Sequence, residues 1–313
     1  MNLIIPSVEI WQQGDTLKDM WSHIARCTRV CYQSHKKNEA ESDEDFVRRV
    51  ILSHEPANSD ANHLAMLEHG TVYLIMQRWG NDREEHEAIE KYLNNKYSNY
   101  KEDEHGKYYI TTNLRVLVEN NWLDDLKYVC LPTEHHAKRV TVSFTTNIGI
   151  TREFNRHRVN SPSEESTRNC NYNKKNNGEL NIGLPAWLLD EENQGYINTQ
   201  KYTSVTEYAD DIASNDDDFI LNNWCAVDFY LSAITFAEWH YNMLIKKGWK
   251  PQQAREVLPL ATKSQLVHTA FVDDWKHFFK LRADGVSGAP HPNAKLVAKP
   301  LKEKFIELGY IKK

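Results

Sequence analysis

The run RVTVSFTTN, residues 139–147, with GITREFNRHR, residues 149–158, immediately behind it, decides the fold class. Val140, Val142 and Phe144 alternate with Thr141, Ser143 and Thr145, the period of two expected of a half-buried strand with one apolar and one polar face. The segment behind it reads as a helix, and this helix is expected to carry the chemistry. Working outward, LIIPSVEIW near the N-terminus reads as extended and DTLKDMWSHIARCTRVCY as helical. The charged stretch SHKKNEAESDEDFVRRVILSH leads into another helix, and TVYLIMQRW is β-rich. DREEHEAIEKYLNNKYSNYKEDEHGKYY, dense in charge and Asn, predicts a solvated helix and turn on the surface. NCNYNKKNNGELNIGLP predicts a loop or hairpin that covers a site. Downstream, residues 222–247 carry apolar side chains at helical spacing, PQQAREVLP is a short helix bounded by Pro251 and Pro259, and VDDWKHFFKLR is a further helix.

Strands alternating with helices predict an α+β (mixed α/β) fold, a central mixed sheet flanked by helices. No Pro-, Gly- or Ser-rich linker interrupts the 313 residues, so a single elaborated domain spanning 1–313 is expected. Hydrophobic residues at 40% and charged residues at 26% are a globular composition. A net charge of −6 gives no global attraction to polyphosphate, which argues against a nucleic-acid partner and requires any anionic ligand to be met by local Arg and Lys. No apolar run is long enough to span a bilayer and no export signal is evident, so a cytoplasmic protein without a membrane partner is expected, in a host cytoplasm if the source is viral. Five scattered cysteines argue against a disulfide framework, and no His or Cys pair complements Cys27 and Cys31 at a zinc-like interval, so no metal is expected. The apolar stripe Phe229, Tyr230, Ile234, Phe236 and Trp239 reads as helix core.

The chemistry concentrates in RHRVNSPSEESTR. Arg156, His157, Arg158 and Arg168 lie within thirteen positions, among the hydroxyls of Ser161, Ser163 and Ser166 and the carboxylates of Glu164 and Glu165. Guanidinium forks beside hydroxyls suit a phosphate or pyrophosphate, because charge-assisted bidentate bonds offset the anion's desolvation. A solvated basic helix end, with the arginines paired to Glu164 and Glu165, explains the same residues equally well. No His and Asp are placed to activate Ser166, so it is read as a binding residue and not a nucleophile.

The order Arg-His-Arg, seven residues, then Ser resembles the signature of the flavin-dependent thymidylate synthase family. AREVLPLATKSQL followed by HFFKLR resembles that family's C-terminal segment, and HLAMLEHGTVYL resembles its flavin segment. The matches run in order from about residue 25 to residue 285, with insertions near 81–135 and 170–220. The resemblance implies reductive methylation of dUMP to dTMP, with FAD as cofactor and NADPH and methylenetetrahydrofolate as co-substrates. It also implies a homotetramer with shared sites.

Residue by residue, the resemblance places Arg156, His157, Arg158, Glu68, His63 and His277 at the cofactor. It places Glu153, Glu164, Glu165, Ser166, Thr167, Arg168, Arg255 and Arg282 at the nucleotide, with Arg282 and His157 catalytic. No cysteine stands in the Pro-Cys-His context with which the unrelated thymidylate synthases attack uracil. Phe271 and Asp273 replace the family's Asn and Arg, and an acidic Asp273 would repel a flavin phosphate, which implies either that other groups such as Arg26, Arg29 or Lys276 meet the flavin phosphates or that the chain is a divergent branch with an altered cofactor grip. Two other readings stand beside this one: a related enzyme that hydroxymethylates pyrimidine C5, and an inactive nucleotide-binding homologue.

Overall fold

The computed structural model describes residues 1–34, 40–78, 83–175, 178–199 and 204–312, without the side chains of 83–86, 175 and 199. Parts of the charged stretch after the first helix (35–39), of the end of TVYLIMQRW (79–82) and of the Asn-rich segment (176–177) therefore lie outside the described residues.

Among the described residues nine strands form three sheets: β1 (Asn2–Ile4), β2 (Ser7–Trp11), β3 (Thr71–Gln77), β4 (Asn99–Glu102), β5 (Lys107–Asn113), β6 (Arg139–Asn147), β7 (Ser161–Glu164), β8 (Asn181–Gly183) and β9 (Lys263–Phe271). The largest sheet has the order β2-β6-β9-β7 and is antiparallel throughout. A second antiparallel sheet has the order β3-β5-β4, and parallel pairing occurs in the separate β1-β8 pair. The fold is thus α+β, with its parallel and antiparallel pairings divided among sheets.

The strand β6 covers the stretch read from its alternation, but it is buried on both faces. Val142 and Phe144 face a core with Phe154, Trp275, Phe278 and Phe305. The opposite, polar face is covered by the helix Leu17–Tyr32 and the turn Leu64–His69. Its groups are hydrogen-bonded within the protein: Thr141 Oγ1 lies 2.9 Å from His23 Nε2 and 2.7 Å from Thr269 Oγ1, and His69 Nδ1 lies 2.8 Å from the same Thr269 hydroxyl. Internal partners replace water, so polar alternation did not mean exposure here.

The segment 81–135 departs furthest from expectation. After the helix Arg83–Leu93 comes the hairpin β4-β5, not a turn, and Tyr92, Tyr108 and Ile110 are buried in a second core with Met20, Ile24 and Leu74. Its surface charges conceal a period-two strand rich in Tyr and Thr. The helix Ala226–Lys246 buries Val227, Leu231, Ile234 and Tyr241, whereas Phe229 and Trp239 of the same apolar stripe are exposed. Among the described residues no helix is long and apolar enough to cross a membrane, and no group of His, Cys, Asp or Glu is arranged to hold a metal.

Candidate functional site

The helix behind β6 is short. Asn147 caps it through its side chain, which accepts from the Ile150 N–H at 3.0 Å, and it ends at Phe154. Arg156, His157 and Arg158 therefore stand on the turn beyond the helix and not within it, and the turn leads directly into β7. A turn can aim consecutive side chains in different directions. His157 is buried, while Arg156 and Arg158 are exposed.

The chain after β7 forms one wall of a cavity of about 570 Å³, to which Glu164, Glu165, Ser166 and Thr167 contribute, with Arg255 and Leu260 opposite and Arg152 from the helix Ile148–Phe154. Arg255 Nη1 donates to Thr167 Oγ1 at 3.4 Å, joining two motifs 88 positions apart. Glu165, expected at the nucleotide, lines this cavity while its carboxylate is engaged by the wall behind it. Its carboxylate is buried against Lys263 Nζ at 2.7 Å and accepts from Gln33 Nε2 at 3.1 Å, so it anchors the wall from behind. Glu164 accepts from Asn155 Nδ2 at 2.8 Å and from the Ser264 hydroxyl at 2.9 Å. Arg168 lies outside this wall, exposed and bonded to Gln252 Oε1 at 3.3 Å.

A second cavity, of about 530 Å³, is lined by Arg158, Asn160 and Ser161 on one side, and by Glu68, Tyr97 and Arg115 on the other. Arg139 and Phe271 also contribute to its lining. Arg115 is bound to both Glu68 and Glu119, a group with one positive and two negative charges. Arg139 differs: it donates to Thr71 Oγ1 at 3.2 Å and to the Glu68 carbonyl at 2.9 Å, both neutral acceptors. Burial pushes its pKa down to about 10. Tyr73 and then the Glu68 and Asp274 carboxylates oppose that shift, so this half-buried cation already stands close to negative charge. Asp273, expected to oppose a cofactor phosphate, is 80% exposed and paired with Lys276 at 2.6 Å. It is Asp274 that lines the cavity, and burial raises its carboxyl above the usual carboxylate range.

A third cluster surrounds Arg282. The helix Val272–Phe279 passes into one π-turn, Lys280–Asp284, which turns Arg282 back toward the helix Ile148–Phe154. Its guanidinium donates to Glu153 Oε2 at 2.6 Å, to the Glu153 carbonyl at 2.9 Å and to His157 Nε2 at 3.2 Å. Accepting at Nε2 requires a neutral imidazole protonated at Nδ1. Burial first, then the positive charge of Arg282 and His277, holds the His157 pKa down to about 4. His277 stands edge-on to His157 with ring centroids 5.9 Å apart. Arg282, His157 and His277 form part of neither cavity wall, and His63, exposed at the start of its turn, likewise stands apart.

The structure thus divides most of the expected residues among two cavities and one cluster, leaves Arg156, Arg168 and His63 outside all three, and adds Arg152, Arg139, Arg115 and Asn160. Arg139 had a signal in the sequence, a charge heading an otherwise uncharged buried strand. Arg115 and Asn160 carried none.

A family model described as thymidylate synthase complementing protein matches residues 132–307. No curated protein matches the chain. Among solved structures, the UMP/dUMP methylase PolB from Streptomyces cacaoi bound with 5-Br UMP is similar at 23% identity, covering 54% of this chain and 70% of that one, with a TM-score of 0.38. The same methylase bound with 5-Br dUMP is similar at 22% identity, covering 54% and 66%, with a TM-score of 0.38.

Proposed function

Because the chain belongs to the thymidylate synthase complementing protein family, the flavin-dependent thymidylate synthases, we propose that it methylates dUMP to dTMP in the cytoplasm, with methylenetetrahydrofolate as carbon donor and FAD and NADPH supplying reduction. The observation that carries this reading is the cavity where Glu164, Ser166 and Thr167 meet Arg255. Two motifs far apart in sequence converge there on a space bordered by the guanidinium groups of Arg152 and Arg255, the hydroxyls of Ser166 and Thr167 and the carboxylates of Glu164 and Glu256, donors and acceptors that a nucleotide phosphate and sugar require. Arg152 and Arg255 would hold the dUMP phosphate.

The cavity beside Arg158 fits FAD by its chemistry. Arg139 and Arg158 suit a pyrophosphate, Tyr97 and Phe271 offer aromatic surface to a ring, and Asn113 and Ser161 offer polar contacts. FAD bound there would supply the hydride that completes the methyl group. The family's Asn and Arg are absent at Phe271 and Asp273, and Arg139 takes over the cationic role.

Arg282 is the catalytic cation of this reading. Two bonds to Glu153 and one to His157 fix its orientation and use three of its five N–H donors, so the other two can stabilise negative charge developing on the uracil ring. His157, kept neutral, orients the guanidinium without adding a second positive charge beside it. Because the Arg282 cluster lies outside both cavity walls, and Arg156 and Arg168 are exposed, the proposed active form is a homotetramer in which neighbouring copies complete each site.

An anaerobic experiment tests the reading. The FAD-loaded protein is reduced with NADPH and then given dUMP and methylenetetrahydrofolate. Return of the oxidised flavin spectrum only when both are present is expected, whereas a flavin that stays reduced would refute it.

A further inference from the structure

The cavity beside Arg158 has two unlike walls. One is built from β7, the end of β9 and the turn that precedes β7. The other comes from residues 96–119, outside the stretch 132–307 that the family model matches. This second wall is held by hydrogen bonds of its own. Asn95 Oδ1 accepts from the Tyr97 N–H at 2.9 Å, and the Ser98 hydroxyl lies 3.2 Å from the same oxygen and 2.9 Å from the Thr112 hydroxyl on β5. Asn113, next along β5, caps the helix Leu114–Glu119 by accepting from the Val116 N–H at 3.2 Å. The turn thus presents Lys96 and Tyr97, and the helix presents Arg115, to one space.

Between the walls, the Arg139 guanidinium stands 5.6 Å from the Phe271 ring and donates to the Glu68 carbonyl at 2.9 Å, while the Glu68 carboxylate pairs with Arg115. Arg139 therefore lies midway, where a pyrophosphate joining the two halves of a dinucleotide would sit. Glu68 and Glu119 are both taken by Arg115, which leaves Lys96 and Arg158 without a carboxylate partner among the described residues. The Lys96 ammonium rests 4.8 Å from the centroid of the Tyr97 ring, and Tyr97 is 54% exposed. A cation over one face of a tyrosine leaves the opposite face open to stack a base. A cation–π contact at an exposed site is also weaker than a charge-assisted hydrogen bond, so Lys96 leaves the ring for a phosphate within its reach.

The two ends of the cavity are not equivalent. Hydride transfer requires contact with the uracil, and β7 leads from Ser161 in this cavity to Glu164 in the Arg255 cavity, about 10 Å along the strand. The reacting ring therefore belongs at the β7 and β9 end, beside Phe271, and the remote half of the cofactor at the 96–119 end. We propose that Tyr97 and Lys96 form an adenylate subsite, in which Tyr97 stacks the adenine of FAD and Lys96 pairs with the adjoining phosphate. The subsite selects FAD over FMN by gripping the end of the cofactor that does not react. The inference rests on the proposed occupancy of this cavity by FAD.

Calorimetric titration of the full-length, flavin-free protein with FAD and with FMN tests the subsite, because FMN carries the flavin and one phosphate but no adenine. The wild type should bind FAD more tightly than FMN. Tyr97→Ala should weaken FAD by about 10-fold, the loss of one base–aromatic stack, and leave FMN within about 2-fold of the wild type. Tyr97→Trp keeps a stacking face and should hold FAD near the wild-type constant. Lys96→Ala should weaken FAD by about 3-fold, with FMN again unchanged. Both side chains are exposed and neither ties down the turn, which Asn95 and Ser98 hold, so the variants keep the fold.

Equal losses for FAD and FMN in Tyr97→Ala would put the flavin ring on Tyr97, and an unchanged FAD constant would remove Tyr97 from the site. Either result overturns the proposal, as does a wild type that binds FMN as tightly as FAD. A wild type that binds neither flavin overturns the cofactor reading itself.

Discussion

Replacing Glu165 separates an anchoring role from a ligand role at the nucleotide cavity. Its carboxylate is 3% exposed, pairs with Lys263 at 2.7 Å and accepts from Gln33 at 3.1 Å and from the Gln265 N–H at 3.3 Å. Glu165→Ala leaves the Lys263 ammonium, itself 14% exposed, without its carboxylate. Breaking a buried pair from one side costs about 3–5 kcal/mol, because the remaining charge stays desolvated. For a chain of this size that corresponds to a fall in Tm of roughly 5–8 °C by calorimetry. Glu165→Gln keeps an acceptor for Gln33 and the Gln265 N–H and should lose about half as much. Lys263→Met in the Glu165→Ala background removes the stranded charge and should restore most of the loss. An unchanged Tm together with a raised dUMP dissociation constant would refute this reasoning and return Glu165 to the ligand set.

Four further outcomes follow from the same geometry. Arg255→Ala, at an exposed side chain, should raise the dUMP dissociation constant at least ~10-fold by calorimetric titration while leaving Tm unchanged, since charge-assisted hydrogen bonds contribute about 1.5–3 kcal/mol. Arg282→Ala should lower kcat by roughly 10²–10³-fold in steady-state assays, with a smaller change in KM. Arg158→Ala should weaken FAD binding in a fluorescence titration, and a dissociation constant equal to that of the wild type would remove Arg158 from the cofactor cavity. Burial lowers the pKa of His23 to about 4 and that of His268 to about 3, below the ordinary value near 6.5. The unfolded chain therefore binds more protons on acidification. Stability should be full above about pH 6.5 and fall toward pH 4, by up to roughly 1.4 kcal/mol per pH unit for each ring. A flat chemical-denaturation profile over that range would contradict the buried assignments.

The sequence carried the framework because local periodicity and end signals are strong there. The alternation of RVTVSFTTN marks β6, and Pro251 opens its short helix where expected. It failed where tertiary partners override local cues. Thr141 and Ser143 look solvent-facing until His23, Thr269 and Gln265 are seen to satisfy them. Lys101, Glu102 and Asp103 mask the hairpin that carries Tyr108 and Ile110 into the core. At the candidate site, residue types and spacing singled out Ser166, Thr167 and Arg255, which do meet at one cavity. They could not show that Glu165 turns inward to Lys263, that Arg139 is half-buried and bonded to neutral acceptors, or that Asn160 and Glu164 are linked through His268. Those facts depend on which side chains face each other across β6, β7 and β9.

The most direct test of the central claim is mass spectrometry of the nucleotide after incubating the protein with dUMP, methylenetetrahydrofolate, FAD and NADPH, with each component omitted in turn. The account predicts dTMP that disappears when any one of the four is left out. A hydroxymethylated pyrimidine, or unchanged dUMP in the complete mixture, would contradict it.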